Sequence, residues 1–253
     1  LLSSFNRFPL LQKLSSEKYD LLVIGGGITG AGIALDAASR GIKTALVEKG
    51  DFAVGTSSRS TKLIHGGLRY LKQGEIGLVK EMGRERAILY RNAPHLVVPE
   101  KMLLPLVKNG SYGKLATSLG LWIYDLLAGV KKKERRKILS RRQTLEREPL
   151  LRNEILQGGC LYAEYRTDDA RLTIEVIKTA ANHGAACINY TEAKKFIYEN
   201  GELVGVDCHD LLSQKDFTIR AKQIVNAAGP WVDTLRKRDN SLHHQTLSAP
   251  EYQ

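Results

Sequence analysis

Three glycines, Gly25, Gly27 and Gly30, and the carboxylate of Glu48 are the residues whose types and spacing point most directly to chemistry. In a G-x-G-x-x-G run the first glycine permits a tight turn and the second lets a pyrophosphate approach the backbone. The third lets a helix pack closely on the strand before it. That helix offers unpaired N–H groups and the positive end of its dipole to an anion. Ile24, Gly26, Ile28 and Thr29 complete the turn. Glu48, with Lys49 next to it, lies 23 residues after Gly25, where an acid can accept hydrogen bonds from an adenosine ribose. A lone glycine triplet is a weak signal. Here it agrees with the elements on either side.

Those elements follow from the apolar pattern. Tyr19–Ile24 reads as a short buried strand of the kind found inside parallel sheets. A helix follows, with Ile28, Ala31, Leu35 and Ala38 on one face, and Gly41 ends it. Lys43–Glu48 is a second strand, so a right-handed βαβ crossover is expected. The polar loop Thr56–Lys62 comes next. In the middle of the chain a helix is expected from Glu75 to Arg91, ending before Pro94. Glu100–Val107 reads as a strand that Pro105 confines to an edge. Leu115–Ala128 reads as a helix, and Ser140 with Gln143 forms a capping box for a short helix ending by Pro149. The nucleotide-type pattern then resumes. Asp168 and Asp169 open a helix whose apolar stripe is Ala170, Ile174, Ile177 and Ala181. After Gly184 come a strand at Ala185–Tyr190, a hairpin turning at Asn200-Gly201, and a last strand at Gln223–Asn226. That strand feeds a second small-residue turn, Ala227-Ala228-Gly229-Pro230.

Composition bounds the rest. The 253 residues, 43% of them hydrophobic, suffice for one large domain or two modest ones. The longest apolar stretch, Leu119–Val130, contains Asp125 and falls short of the ~20 residues a spanning helix needs. Residues 1–13 lack the basic head, long apolar run and small-residue cleavage site of a secretory leader. Cys160, Cys187 and Cys208 match neither a zinc site nor a redox pair, no metal is expected, and a reducing interior is the simplest setting. The net charge of +11 calls for acidic partners. Much of it sits in Lys131–Arg142, which reads as a solvated helical face or as a contact for an anionic membrane surface. Nucleic acid is disfavoured because no aromatics interleave the run.

The glycine pattern serves both NAD and FAD. An early βαβ unit followed at once by a polar loop favours FAD, whose extended flavin half needs additional backbone donors. At this point the sequence resembles a known family. Ile24-Gly25-Gly26-Gly27-x-x-Gly30-Ala31-Gly32-x-Ala34-x-Asp36-x-x-x-Arg40-Gly41 is similar to the signature of FAD-dependent glycerol-3-phosphate dehydrogenases. The segment from Ser57 to Leu71 resembles that family's flavin loop, and Thr167–Leu172 and Val225–Val232 are similar to two further blocks.

The resemblance implies an α/β fold: a Rossmann-type FAD-binding domain of the glutathione-reductase-like superfamily with an inserted α+β substrate domain, incomplete in this chain. It implies FAD-binding segments at residues 19–75 and 165–236, an inserted segment at 76–164, and terminal extensions at 1–18 and 237–253. The implied reaction oxidises sn-glycerol 3-phosphate to dihydroxyacetone phosphate, with quinone, or oxygen in a minority, taking the electrons. The implied setting is the cytoplasm, peripheral on the inner face of the cell membrane, with a homodimer left open. Gly25, Gly27, Gly30 and Glu48 would hold the ADP half, and Thr56, Ser57, Ser60, Lys62 and Leu63 would surround the flavin. Ala228 and Gly229 would return beside the pyrophosphate, and Arg69 and Tyr70 match positions that bind substrate.

Several of these side chains keep two readings. Arg69 offers a guanidinium fork for a phosphate or is a surface residue, and Tyr70 donates to substrate or packs. His65 serves as base toward the C2 hydroxyl or fixes loop backbone. Asp168 and Asp169 form a carboxylate pair or a helix cap. Family members are about twice as long, so these residues alone should hold much of the FAD and turn over weakly or not at all. Another flavin oxidase of the superfamily, acting on an amino or hydroxy acid, and a basic module binding lipid or nucleic acid are the competing readings.

Overall fold

In the computed structural model, which describes residues 6–65, 70, 73–108 and 136–239, the first stretch of chain gives α1 (Arg7–Ser16), β1 (Lys18–Ile24), α2 (Ile28–Ser39) and β2 (Thr44–Val47). A single 3-10 turn at Thr56–Ser58 follows. The middle stretch supplies β3 (Leu63–Ile64), α3 (Ile76–Asn92), β4 (Val97–Val107), β5 (Lys137–Ser140), α4 (Arg141–Arg147) and β6 (Leu156–Thr167). The last stretch gives α5 (Asp169–Asn182), β7 (Ala186–Ile188), β8 (Thr191–Glu199), β9 (Glu202–Asp210), β10 (Lys215–Asn226) and α6 (Val232–Lys237). The chain divides into two units, one of residues up to Ser60 and from Asp169 onward, the other of residues 61–168.

The first unit is built on a six-stranded sheet in the order β7-β2-β1-β10-β9-β8. β7, β2, β1 and β10 pair in parallel, whereas β9 pairs antiparallel with both β10 and β8. Because side chains alternate across a strand, each apolar run supplies both faces. Leu22, Ile24, Ala45, Val47, Ala186 and Ile188 form one core with Leu14 of α1. Val23, Leu46 and Cys187 form the other, covered by Ala31, Ala34 and Ala38 of α2 and Ile177 and Ala180 of α5. The alanines keep α2 close to the sheet. Burial pushes the Cys187 and Cys208 thiols up to about 12, which leaves both inert.

The second unit carries an antiparallel sheet in the order β3-β6-β4, with β5 also on β6. Among the described residues β4 pairs with β6 alone, so Pro99 and Pro105 sit on an edge strand there. The Ser140 capping box forms: Gln143 N–H donates to Ser140 Oγ at 3.2 Å, and Ser140 N–H to Gln143 Oε1 at 3.0 Å.

Several expectations are revised. Ile28 is exposed in the first turn of α2, beyond the carboxyl end of β1, and the inward face is Ala31, Ala34, Ala37 and Ala38. On α5 the buried residues are Leu172, Thr173, Ile177 and Ala180. Thr173 tolerates burial because its hydroxyl donates to the Asp169 carbonyl at 2.9 Å. The last strand begins eight residues before Gln223, since its first half pairs with β9 rather than β1. α1, β3, β5, β6 and α6 are additional to the expected elements. The expected helix at Leu115–Ala128 and the start of the basic run lie outside the described residues. Among the described residues no helix is long and apolar enough to cross a membrane.

The turn from β1 into α2 is closed by backbone crowding. Gly25 has a left-handed φ of +121°, and a Cβ there would stand 2.4 Å from the Ala227 carbonyl oxygen. A Cβ on Gly30 would stand 1.9 Å from the Gly25 carbonyl oxygen. Neither partner is a flexible side-chain tip. Gly30→Ala should therefore lower stability by ~1–3 kcal/mol, read as a lower urea midpoint at unchanged slope. An unchanged midpoint would show that α2 and β1 part easily.

α1 is fastened by Arg7, whose guanidinium donates to the Asp210 carboxylate and, at 2.9 Å, to the Asn189 carbonyl. Burial alone would raise the Asp210 carboxyl, but the Ser213 and Arg7 donors outweigh it and hold the group below its ordinary range. A carboxyl depressed by folding contributes stability above its unfolded value and loses it as pH falls through the folded one. Arg7→Ala should cost about 2 kcal/mol near neutrality, and the gap to the parent chain should close between about pH 5 and pH 2. Urea melts across that range test the assignment. A gap independent of pH would sever Arg7 from Asp210.

Candidate functional site

The carboxyl ends of β1 and β10 place two turns side by side. Their register sets Ile24 against Asn226 and, on the other flank, against Val47. Gly25 N–H donates to the Val47 carbonyl at 2.9 Å, and Ala227 N–H to the Ile24 carbonyl at 2.8 Å. Asn226 clamps the second turn. Its Oδ1 accepts the Ala228 N–H at 3.1 Å, and its Nδ2 donates to the Val232 carbonyl at 3.1 Å. Ala228 is half-buried, and Gly229 is exposed with a left-handed φ of +55°. The sequence reading did not single out Asn226. Its signal is a polar residue closing an apolar strand just before a small-residue turn.

Gly27 caps α2 and brings no side chain to the helix start, and the first turn of α2 holds no acidic residue. Ile28 N–H is met from outside the helix by Ser57 Oγ at 2.9 Å. Thr29 is exposed and Gly30 is buried. A positive helix end without a carboxylate of its own suits an anion. The Ser57 hydroxyl marks where acceptor oxygens fit, and it belongs to the polar loop. Thr56 opens that loop's 3-10 turn and is exposed.

Glu48 braces the site from β2. Its carboxylate accepts the Gly26 N–H and the Gly50 N–H, each at 2.7 Å. The glycine turn is thereby tied to the acid that follows β2. Each carboxylate oxygen has two lone pairs, so acceptor capacity remains for a ribose hydroxyl. Lys49 is exposed beside it. At the far end of the loop Ser60 donates its hydroxyl to Asp169 Oδ2 at 2.6 Å and its N–H to the same oxygen at 3.2 Å. Asp169 also accepts the Ala170 N–H through Oδ1 at 3.0 Å. One carboxylate thus serves both the start of α5 and the loop, a pairing across 109 residues that no local pattern announces.

The remaining candidates lie in the second unit. Lys62 has a left-handed φ of +59°, and its carbonyl accepts the Thr167 N–H at 2.9 Å. Leu63 pairs with Arg166 in the β3–β6 ladder. His65 is exposed, with Nδ1 3.8 Å from a carboxylate oxygen of the buried Glu164. Tyr70 is partly exposed, and its carbonyl accepts the N–H groups of Gln73 and Glu75 at 3.0 Å. Arg69 lies outside the described residues. Among the described residues no cluster of three or more His, Cys, Asp or Glu is arranged to hold a metal.

Known proteins are similar to this chain. Over 247 residues the chain is 59% identical to an aerobic glycerol-3-phosphate dehydrogenase of Staphylococcus aureus, covering 97% of this chain and 44% of that protein. The crystal structure of the glycerol-3-phosphate dehydrogenase from Bacillus halodurans complexed with FAD matches with a TM-score of 0.73 and 49% identity. That match covers 93% of this chain and 39% of the other. An FAD-bound L-α-glycerophosphate oxidase from Mycoplasma pneumoniae, at 19% identity and a TM-score of 0.61, shares the fold. The chain thus spans less than half the length of the curated relatives it matches. The sequence model of the FAD dependent oxidoreductase family matches residues 20–250, from within β1 past the second turn. The chain belongs to the FAD dependent oxidoreductase family.

Proposed function

We propose that this chain binds FAD and forms the cofactor-holding part of an enzyme that oxidises sn-glycerol 3-phosphate to dihydroxyacetone phosphate. The observation that carries the reading is the start of α2: a side-chain-free cap at Gly27, no acid in the first turn, and Ser57 Oγ on the Ile28 N–H. A phosphate oxygen and a serine oxygen make the same demand on an N–H donor. The names of the relatives, which share 59% and 49% of their aligned residues with this chain, supply the substrate.

FAD, when bound, supplies the acceptor for the hydride that leaves C2 of the substrate. The chain's own residues bind and orient. Ile24 to Gly30 hold the pyrophosphate, and Glu48, with Lys49 beside it, receives the ribose hydroxyls. Thr56, Ser57, Ser60, Lys62 and Leu63 line the flavin half, and Ala228 and Gly229 close on the pyrophosphate from the second turn. Arg69 pairs with the substrate phosphate, Tyr70 donates to the substrate, and His65 takes the proton of the C2 hydroxyl. Residues 19–75 and 165–236 form the FAD-binding part in this proposal, with 76–164 contributing to the substrate part. Quinone at an anionic membrane face is the acceptor favoured by the basic run Lys131–Arg142, whose Arg142 is 89% exposed.

Protein incubated with FAD and desalted should stay yellow, and protein that emerges colourless would overturn the cofactor assignment. Glu48→Gln keeps the shape of the side chain and removes the charge that receives two backbone N–H groups. It should weaken FAD binding about tenfold, a loss of ~1.4 kcal/mol, measured by fluorescence titration. In the complete native protein, glycerol 3-phosphate should bleach the flavin absorbance without oxygen. Bleaching by an amino acid instead would transfer the substrate assignment to the oxidase reading.

A further inference from the structure

The second unit buries a charge to which the proposed reaction assigns no part. Glu164 stands on β6 with its side chain 2% exposed. A carboxylate so far from water persists only with partners. Arg86 of α3, also 2% exposed, supplies one: Nη1 lies 3.3 Å from Glu164 Oε2 and 3.4 Å from the Ala163 carbonyl. The guanidinium carbon sits 4.6 Å from the centre of the Tyr165 ring, and that ring packs 5.2 Å from Tyr90. Arg86 is therefore held on two sides, and it holds Oε2 in turn. The second oxygen, Oε1, lies 3.8 Å from Nδ1 of His65, whose side chain is 62% exposed. A buried anion thus underlies one nitrogen of a solvent-facing imidazole.

We propose that Glu164, anchored by Arg86, is a positioning residue that keeps the proton of neutral His65 on Nδ1 and leaves Nε2 as the proton acceptor. Which ring nitrogen of a histidine carries the proton is set by the groups that face the two nitrogens. At 3.8 Å the contact is electrostatic, longer than a hydrogen bond. A negative oxygen in a poorly solvated setting nonetheless favours an N–H dipole directed at it over a lone pair. Arg86 matters because it keeps the carboxylate charged, and Tyr165 because it keeps Arg86 in place. The catalytic meaning of this arrangement rests on His65 taking the substrate's hydroxyl proton, but the tautomer itself does not.

Two-bond 15N–1H NMR spectra of the labelled full chain, with His65 assigned by loss of its signals in His65→Gln, report the tautomer directly. At about pH 8.5, where an ordinary imidazole is neutral, the Nδ1–H form of His65 should outnumber the Nε2–H form several-fold. In Glu164→Gln the ratio should fall to parity or below. Glu164→Asp preserves the charge that Arg86 needs and withdraws it by one methylene, so its ratio should be intermediate. Unchanged signals from the other five histidines report an intact fold. If Glu164→Gln does not fold, Glu164→Asp decides. A wild-type His65 with its proton on Nε2, or a ratio that Glu164→Asp leaves unchanged, would overturn the proposal. Protein that takes up no FAD yet shows the Nδ1–H form would cost the functional reading and leave this one standing.

Discussion

Two backbone turns compete for one place at the carboxyl ends of β1 and β10, and the rest of the first unit is arranged around their contact. The Ala227 carbonyl occupies the space a side chain on Gly25 would need, and the Gly25 carbonyl occupies the space a side chain on Gly30 would need. Hydrogen bonds from Gly25 to Val47 and from Ala227 to Ile24 lock the turns to the strands below. The position of the α2 N-terminus is therefore a consequence of sheet register. A slip of one residue between β1 and β10 would turn every side chain to the opposite face. It would also take the Ala227 N–H away from the Ile24 carbonyl to which it donates.

Around that contact the charges are disposed to leave the helix end positive. The nearby acid, Glu48, is committed to the Gly26 and Gly50 N–H groups. Asp169, the acid nearest the far end of the loop, is committed to Ser60 and Ala170. Backbone N–H donors lower the cost of each carboxylate while each carboxylate shapes a loop. The hydroxyl of Ser57 is neutral, so it can yield its place on the Ile28 N–H without leaving a charge behind.

Periodic or local features were legible in the sequence. The β1–α2–β2 unit announced itself through an apolar run, glycine spacing and a closing acid. The Ser140–Gln143 box and the Asn200-Gly201 hairpin did so through residues with one main local use. β6 carries two glycines, Gly158 and Gly159, which interrupt its apolar pattern. In the fold Gly159 faces Thr144, whose hydroxyl would stand 2.9 Å from a Cβ there. The glycine admits α4 and does not end the strand. The first half of β10 was hidden by its charged residues, which suit an antiparallel ladder and not a buried parallel one. At the site, residues close in sequence were read together, whereas the pairs Ser60–Asp169 and Arg86–Glu164 were not. Long-range pairings leave no period, so composition and spacing cannot reveal them.

Glu48 and Glu164 are satisfied in different ways, and the difference bears on what each can do. Glu48 uses both oxygens on backbone N–H groups whose positions are set by the sheet and its turns. Such a carboxylate is as fixed as the sheet, which suits a group that shapes a binding surface. Glu164 gives one oxygen to a guanidinium and turns the other toward an imidazole. A guanidinium keeps its charge at any pH that the fold survives, so the cation that faces Glu164 is permanent. Bound only by neutral donors, a carboxylate buried that deeply would itself become the better place for the proton. The buried arginine is therefore what allows a carboxylate to direct a proton on His65 without taking it.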